Sequence, residues 1–324
     1  MPARFTRREI IAYVVLAGGL GIMAYHLAAS LSMGNPHNDL AFRQAVESWD
    51  QYLDLRQEWR PRIGAAASAK LANVISASSD TEKQLRNAVG LHSALWMLAT
   101  MGVLVAGFGR RALPLMWGVA AAVAFGYTPG LVSRVYPWDL PALFFFTAFT
   151  VVLARERWNW LPAVILVGAL FKETTAVLCI APLFLSGPWR RRIIWTGSLM
   201  AAFLVVKVGV DLLVQNPVPL LSPTVHPPEG DTWRLAENVK LLWRPPYTHP
   251  IWINAGTLVA VFAIPWRQPN GHLIRTIAVC FAGSIMIFGV ASEYRIWFEM
   301  IPLCVLALTR WLLPPDDVAR ELQG

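Results

Sequence analysis

The sequence predicts an all-α protein, a polytopic membrane bundle of about ten segments that includes one short kinked hairpin. Hydrophobic residues make up 56% of the 324 positions. Four stretches contain no Asp, Glu, Lys or Arg, namely Ile10–Asn38, Asn87–Gly109, Ala112–Ser133 and Pro245–Trp266. A helix needs about 20 mostly apolar residues to cross the hydrocarbon core. Because these runs are too continuous for alternating barrel strands, the spans should be helices.

The expected segments follow one another as alternating crossings of a single transmembrane domain, residues 1–324. They lie at 10–33, 91–108, 113–127, 139–154, 193–213, 251–266, 273–291 and 296–313, with hairpin arms at 158–170 and 174–186. Each arm has 13 residues and reaches only about 20 Å, so the bend at 171–173 should lie at or below the outer interface. Two outer loops are expected, at 34–86 and 214–250. The first segment is longer than a usual signal sequence, so we expect an uncleaved span.

The net charge of +8 is concentrated in short joints between apolar runs, such as Arg110-Arg111, Arg155–Arg157 and Arg190–Arg192. The joints and tails expected inside hold 14 cations and 5 acids, a balance of +9, and the rest of the chain sums to −1. Short basic loops stay in the cytoplasm. The pattern therefore predicts a plasma (inner) membrane protein with both termini cytoplasmic. It favours membrane lipids over nucleic acid as the partner of the basic residues.

The first outer loop begins with an amphipathic pattern. Phe42, Val46, Trp49 and Leu53 share one stripe after Asp39, which predicts an interfacial helix. Asp39 could cap this helix, or it could be a catalytic carboxylate, and the two roles are compatible.

Two arginines separated by a proline end this stretch, in Arg60-Pro61-Arg62. Guanidinium groups suit two-point contact with phosphate. The alternative is ordinary contact with lipid headgroups at the interface.

The other charges that interrupt or flank the predicted spans all fall in the outer half. They are Asp139, Lys172, Glu173, Lys207, Asp211, Glu293, Arg295 and Glu299. Charges inside a membrane are costly and usually line a cavity or the bundle interior. The pattern therefore predicts a charge-lined cavity open to the outside, or alternatively ion pairs that lock helices together. The histidines and cysteines lack metal-ligand spacing, so no metal site is expected.

Four short charged motifs follow one another along the chain. Asn38-Asp39 follows the first span, Arg60-Pro61-Arg62 follows the interfacial helix, Lys172-Glu173 forms the hairpin tip, and Glu293-Tyr294-Arg295 comes late. This arrangement resembles the membrane glycosyltransferases of the GT-C superfamily, which use polyprenyl-phosphate sugars. The resemblance covers most of the chain at the level of topology.

The resemblance implies a sugar transfer at the outer (periplasmic) face, from a polyprenyl-phosphate donor to an acceptor. Asp39 would be the general base. Cations would bind the departing phosphate, with carboxylates orienting them, and no metal or cofactor is required. The implied substrate-binding residues are Arg60, Arg62, Asp139, Lys172, Glu173, Glu293 and Arg295.

Two other classes of function remain open. A transporter or flippase for an anionic lipid or solute would use the same cations, but it would need access from both faces. A non-catalytic scaffold, or a degenerate relative of the enzymes, would use its outer loops to bind a partner such as another membrane protein. A closed bundle with every charge paired favours the scaffold.

Overall fold

The computed structural model describes residues 6–33, 40–46, 62–127, 136–214, 235–243, 261–262, 270–288 and 294–312, and every regular element in these ranges is helical. The α-helices are α1 (Arg7–Met33), α2 (Leu40–Val46), α3 (Ile63–Ile75), α4 (Thr81–Phe108), α5 (Ala112–Gly126), α6 (Asp139–Ala154), α7 (Leu161–Ala169), α8 (Trp189–Leu213), α9 (Leu235–Trp243), α10 (Gly271–Phe288) and α11 (Ile301–Leu312). Four 3-10 helices join them, at Gly109–Arg111, Trp158–Trp160, Glu173–Phe184 and Tyr294–Met300.

Three stretches of the described chain are long and apolar enough to cross a membrane. They are Arg7–Leu31, Thr81–Gly126 and Trp189–Leu213. A sharp turn at Gly109, with φ 58°, divides the second stretch into α4 and α5. Six shorter apolar helices of 10–17 residues accompany them. The described part of the chain is therefore an all-helical protein of membrane character.

Helices α1 and α4 run antiparallel along most of their lengths. At one end the Tyr25 hydroxyl donates to the Asn87 side-chain carbonyl at 3.0 Å, and at the other the Tyr13 hydroxyl donates to the Arg110 carbonyl at 2.7 Å. Gly90 makes the close approach possible, because a Cβ there would lie 2.7 Å from the Tyr25 ring. Small residues at such contacts are typical of helix packing in membranes.

Helix α6 runs parallel to α4. Trp96 stacks edge-on against Phe144, with ring centroids 5.3 Å apart, and Arg155 donates to the Gly107 carbonyl at the far end. The joints at 109–111 and 155–157 therefore lie at the same end of the bundle. We call this the arginine end.

The predicted short hairpin is present in the structure. Its first arm is Trp158–Trp160 followed by α7, and its second arm is the 3-10 helix Glu173–Phe184, which packs against the first. The second arm returns to the arginine end, where Arg192 donates to the Leu183 carbonyl at 2.9 Å.

Only part of the predicted interfacial helix lies within the described residues, as α2. Phe42 on α2 is fully buried, and its ring meets His92 of α4 edge-on at 5.4 Å. The apolar face of α2 thus packs on the bundle. The stretch predicted to be the first outer loop also contains α3, and α9 lies within the one predicted to be the second.

Candidate functional site

The hairpin tip is held by backbone hydrogen bonds on two sides. The Lys172 N–H donates to the Gly168 carbonyl at 2.9 Å within the hairpin, and the Gly64 N–H donates to the Leu170 carbonyl at 2.9 Å from α3. Gly64 has no side chain to obstruct this contact, and a Cβ there would lie 2.9 Å from the Phe171 ring. The start of α3 and the hairpin tip are therefore packed directly together.

Lys172 projects from the tip toward two carboxylates. Its Nζ lies 2.5 Å from Glu299 Oε1 and 3.9 Å from Asp139 Oδ1, and all three residues are buried, with Glu299 fully inaccessible. Asp139 is the first residue of α6, and Glu299 lies in the 3-10 helix Tyr294–Met300. Three separate segments thus meet at one ammonium group.

Glu173, the next residue, pairs with Arg62 just before α3. Arg62 Nε donates to Glu173 Oε2 at 3.0 Å, and a second guanidinium nitrogen contacts Oε1. The guanidinium also lies over the Trp138 ring, 4.4 Å from its centroid. The Glu173 side chain keeps 45% of its surface exposed, whereas Arg62 keeps 10%. Glu173 is therefore the accessible member of this pair.

Lys207 and Asp211 approach the same region from α8. Both are buried, and they lie one turn apart on one face of the helix. Lys207 Nζ donates to the Ala169 carbonyl at 3.5 Å, at the C-terminus of α7, where the helix dipole favours a cation. The charges of Glu173 and Asp211 also attract Lys207. This lysine ties α8 to the hairpin.

Together these side chains form what we call the buried charge cluster. Its described members are Arg62, Asp139, Lys172, Glu173, Lys207, Asp211 and Glu299, and all of them are buried except Glu173, which is half-buried. Within the described ranges it holds three cations and four carboxylates, contributed by five separate segments.

The cluster lies about 20–24 Å from the arginine end, toward the opposite end of the bundle. Asp139 begins a helix of 16 residues that ends beside Arg155, which places it about 24 Å away. Phe171 at the tip stacks on Trp96, and Trp96 precedes Gly109 by 13 positions, or about 20 Å of helix. Both distances from the arginine end to the cluster are shorter than the roughly 30 Å thickness of a hydrocarbon core.

Four of the eight predicted site residues meet in the cluster: Arg62, Asp139, Lys172 and Glu173. Asp39, Arg60 and Glu293 lie outside the described residues, as does the side chain of Arg295, whose backbone belongs to the 3-10 helix Tyr294–Met300.

Three members of the cluster were not assigned to the site from the sequence, namely Lys207, Asp211 and Glu299. Glu299 lies four positions from Arg295, a spacing that predicts a local pair, whereas the structure places it on Lys172. Its place in the otherwise apolar run Ile296–Leu303 was the available signal, because a carboxylate there needs a buried partner.

The described cluster can act in two ways. Opposite charges in contact inside a bundle can fix the relative positions of helices. The same cations, already immobilised, can also stabilise an anion that develops during a reaction. In the described ranges no group of three His, Cys, Asp or Glu side chains could hold a metal ion.

No protein-family model matches this chain, and comparison with curated proteins and with solved structures finds no match either.

Proposed function

We propose that this protein is a membrane glycosyltransferase that moves a sugar from a polyprenyl-phosphate donor to an acceptor at the outer face of the plasma (inner) membrane. The observation that carries the proposal is the convergence of charged side chains from five segments into one buried cluster, toward the end of the bundle opposite the arginine end. Charged side chains inside a membrane cost free energy, and they usually mark a functional site.

The proposed topology has about ten membrane segments, with both termini and the arginine end in the cytoplasm. The cluster would then lie in the outer half of the membrane. Cysteines introduced at Glu82 and Glu229 should be labelled by a membrane-impermeant reagent added from outside. Labelling of either position only from the cytoplasm would contradict this topology.

In the proposed reaction the acceptor hydroxyl oxygen forms a bond to the anomeric carbon while the bond from that carbon to the lipid phosphate breaks. Asp39 takes the hydroxyl proton, and the phosphate leaves with the bonding electrons. Arg60, Arg62, Lys172 and Arg295 supply the positive charge that stabilises the phosphate.

The carboxylates of the cluster hold these cations in place before the donor arrives. Glu173 and Glu293 orient their neighbours, and Asp139 shares Lys172 with Glu299. The donor phosphate competes with Glu173 for Arg62, and the exposed side chain of Glu173 makes this exchange possible.

The test measures sugar transfer by the full-length protein in lipid nanodiscs, with a panel of polyprenyl-phosphate sugars. Asp39→Asn retains a good helix cap but removes the base, so transfer should fall about 10²–10⁴-fold while folding is unchanged. Asp80→Asn is the matched control. Asp80 caps α4 by accepting from the Glu82 and Lys83 N–H groups at 2.9 and 3.1 Å, so its substitution should leave transfer intact.

Two outcomes would overturn the proposal. One is a folded Asp39→Asn protein with undiminished transfer. The other is a wild-type protein that transfers nothing from any polyprenyl-phosphate sugar.

The second candidate is a non-catalytic scaffold. It is favoured by the contacts of Arg62 with Glu173 and of Lys172 with Glu299, since paired charges are what a structural lock requires. In that case neutral replacement of a complete ion pair would leave every function of the protein intact. A transporter is less favoured, because the hairpin tip is bonded to α3 and α8 and the described cluster lies toward one end.

A further inference from the structure

Helix α3 buries small side chains and exposes large apolar ones. Its buried face consists of alanines, Ala65, Ala69 and Ala72, none of them more than 1% exposed. Its outer face carries Leu71, Val74 and Ile75, which are 60%, 65% and 61% exposed. A helix on a water-soluble protein would turn its large apolar residues inward. Small residues toward the neighbouring helix and large apolar residues outward are typical of a helix surrounded by lipid.

Helix α3 packs antiparallel against the outer part of α4. Ser68 Oγ lies 3.0 Å from His92 Nε2, and the Gln84 side-chain amide donates to the Asn73 carbonyl at 3.1 Å. These two contacts fix the level of α3 along a helix that is apolar enough to cross a membrane.

The depth of α3 follows from this register. His92 precedes Gly109 by 17 positions, which places Ser68 about 25 Å from the arginine end. Asn73 lies five residues further along α3, which places it at about 33 Å, within reach of the Gln84 side chain. The hydrocarbon core is about 30 Å thick, and headgroups extend the bilayer to about 40–45 Å. If the arginine end lies at the cytoplasmic boundary of the core, as in the proposed topology, the start of α3 falls within the core and its end within the headgroup layer.

We propose that α3 is a re-entrant helix, which enters the outer leaflet from the outside without crossing it, and that its exposed face contacts membrane lipid. With 13 residues it spans about 20 Å, too short for a crossing. Lys70 lies near the boundary between core and headgroups. Its long stem can remain in apolar surroundings while its ammonium group reaches the lipid phosphates.

This placement explains the surroundings of Arg62. The arginine immediately precedes α3 and so lies at its deep end, beside the hairpin tip. An isolated guanidinium at this depth would be costly. The two-point contact with Glu173 and the stacking on Trp138 offset that cost. The inference rests on the proposed topology, and it does not depend on sugar transfer.

The test uses spin labels on single cysteines in the full-length protein, reconstituted into phospholipid vesicles. The labelled variants are Leu71→Cys, Val74→Cys and Ile75→Cys, in a background where the exposed Cys280 is replaced by alanine. Ser79→Cys, exposed between α3 and α4, is the aqueous control. Val205→Cys, on α8 and 72% exposed, is the lipid control. Collisions with molecular oxygen report lipid, and collisions with a water-soluble nickel complex report water.

We expect the ratio of oxygen to nickel collisions at Leu71→Cys to be several-fold higher than at Ser79→Cys and close to that at Val205→Cys. The ratio should fall from Leu71→Cys to Ile75→Cys, because the helix rises toward the surface. Nickel accessibility equal to that of Ser79→Cys at all three positions would overturn the proposal, since the face would then meet water. Low accessibility to both reagents would also overturn it, since the face would then be covered by protein.

Discussion

Lys172 and Glu299 form a buried ion pair, with Nζ and Oε1 2.5 Å apart, between the hairpin tip and the 3-10 helix Tyr294–Met300. Asp139 Oδ1 lies 3.9 Å from the same ammonium group. The pair joins two segments that are far apart in the chain. The pair could stabilise the fold, take part in a reaction, or do both. Single and double substitutions distinguish these roles.

Removing one partner of this pair should be more damaging than removing both. Glu299→Leu leaves Lys172 buried with only the more distant Asp139, so we expect a loss of about 3–5 kcal/mol in stability. Lys172→Met combined with Glu299→Leu removes both charges and should recover most of that loss. Asp139 stays in place in both variants, in the first turn of α6, where the helix dipole favours an anion. Thermal unfolding in nanodiscs measures both effects, and a double variant no more stable than Glu299→Leu would contradict them.

Replacing Arg62 by lysine should destabilise the protein although the charge is kept. Lysine cannot make the two-point contact with Glu173 or lie flat on Trp138, so we expect a loss of about 1–3 kcal/mol.

The matched control for this substitution is Arg43→Lys. Arg43 also makes a two-point contact, with Glu82 at 2.6 and 2.7 Å, but the Glu82 side chain is 71% exposed. Exposed pairs contribute at most about 1 kcal/mol, so Arg43→Lys should have little effect on the unfolding temperature. Equal losses for the two variants would show that burial does not decide the strength of the Arg62 contact.

A methyl group at Gly90 should separate α1 from α4. Its Cβ would lie 2.7 Å from the Tyr25 ring, so Gly90→Ala should cost about 1–3 kcal/mol. Gly102→Ala is the control on the same helix, because no atom lies within 4 Å of its added Cβ, and it should be neutral or slightly stabilising. The unfolding temperatures of the two variants check the prediction. An unaffected Gly90→Ala protein would show that the interface can move apart at no cost.

Much of the fold could be predicted from short stretches of the sequence. The first span was predicted at 10–33 and α1 is Arg7–Met33, the span predicted from residue 139 begins there as α6, and the hairpin bends at Lys172. Each of these features depends on apolar length or on the polar residues that interrupt it, and both can be read from a few neighbouring positions.

The pairing within the cluster could not be read in the same way. The spacing of four positions between Arg295 and Glu299 predicts a local pair, whereas the contact of Glu299 with Lys172 depends on how helix packing brings the hairpin tip to the Tyr294–Met300 segment. The depth of α3 cannot be read from the sequence either. Its apolar composition favours membrane contact and Lys70 opposes it, and only the packing against α4 fixes its level.

The most direct test of the proposed site is sugar transfer by the Lys172→Met and Glu299→Leu double variant, measured beside its thermal stability. The variant removes one proposed phosphate-binding cation together with Glu299, the nearer of its two carboxylate partners. We expect an unfolding temperature close to that of the wild type and a loss of transfer of about 10²–10³-fold, comparable to the removal of one group that stabilises developing charge. Undiminished transfer by the folded double variant would contradict the account, because Lys172 and Glu299 would then hold the helices together and do nothing in the reaction.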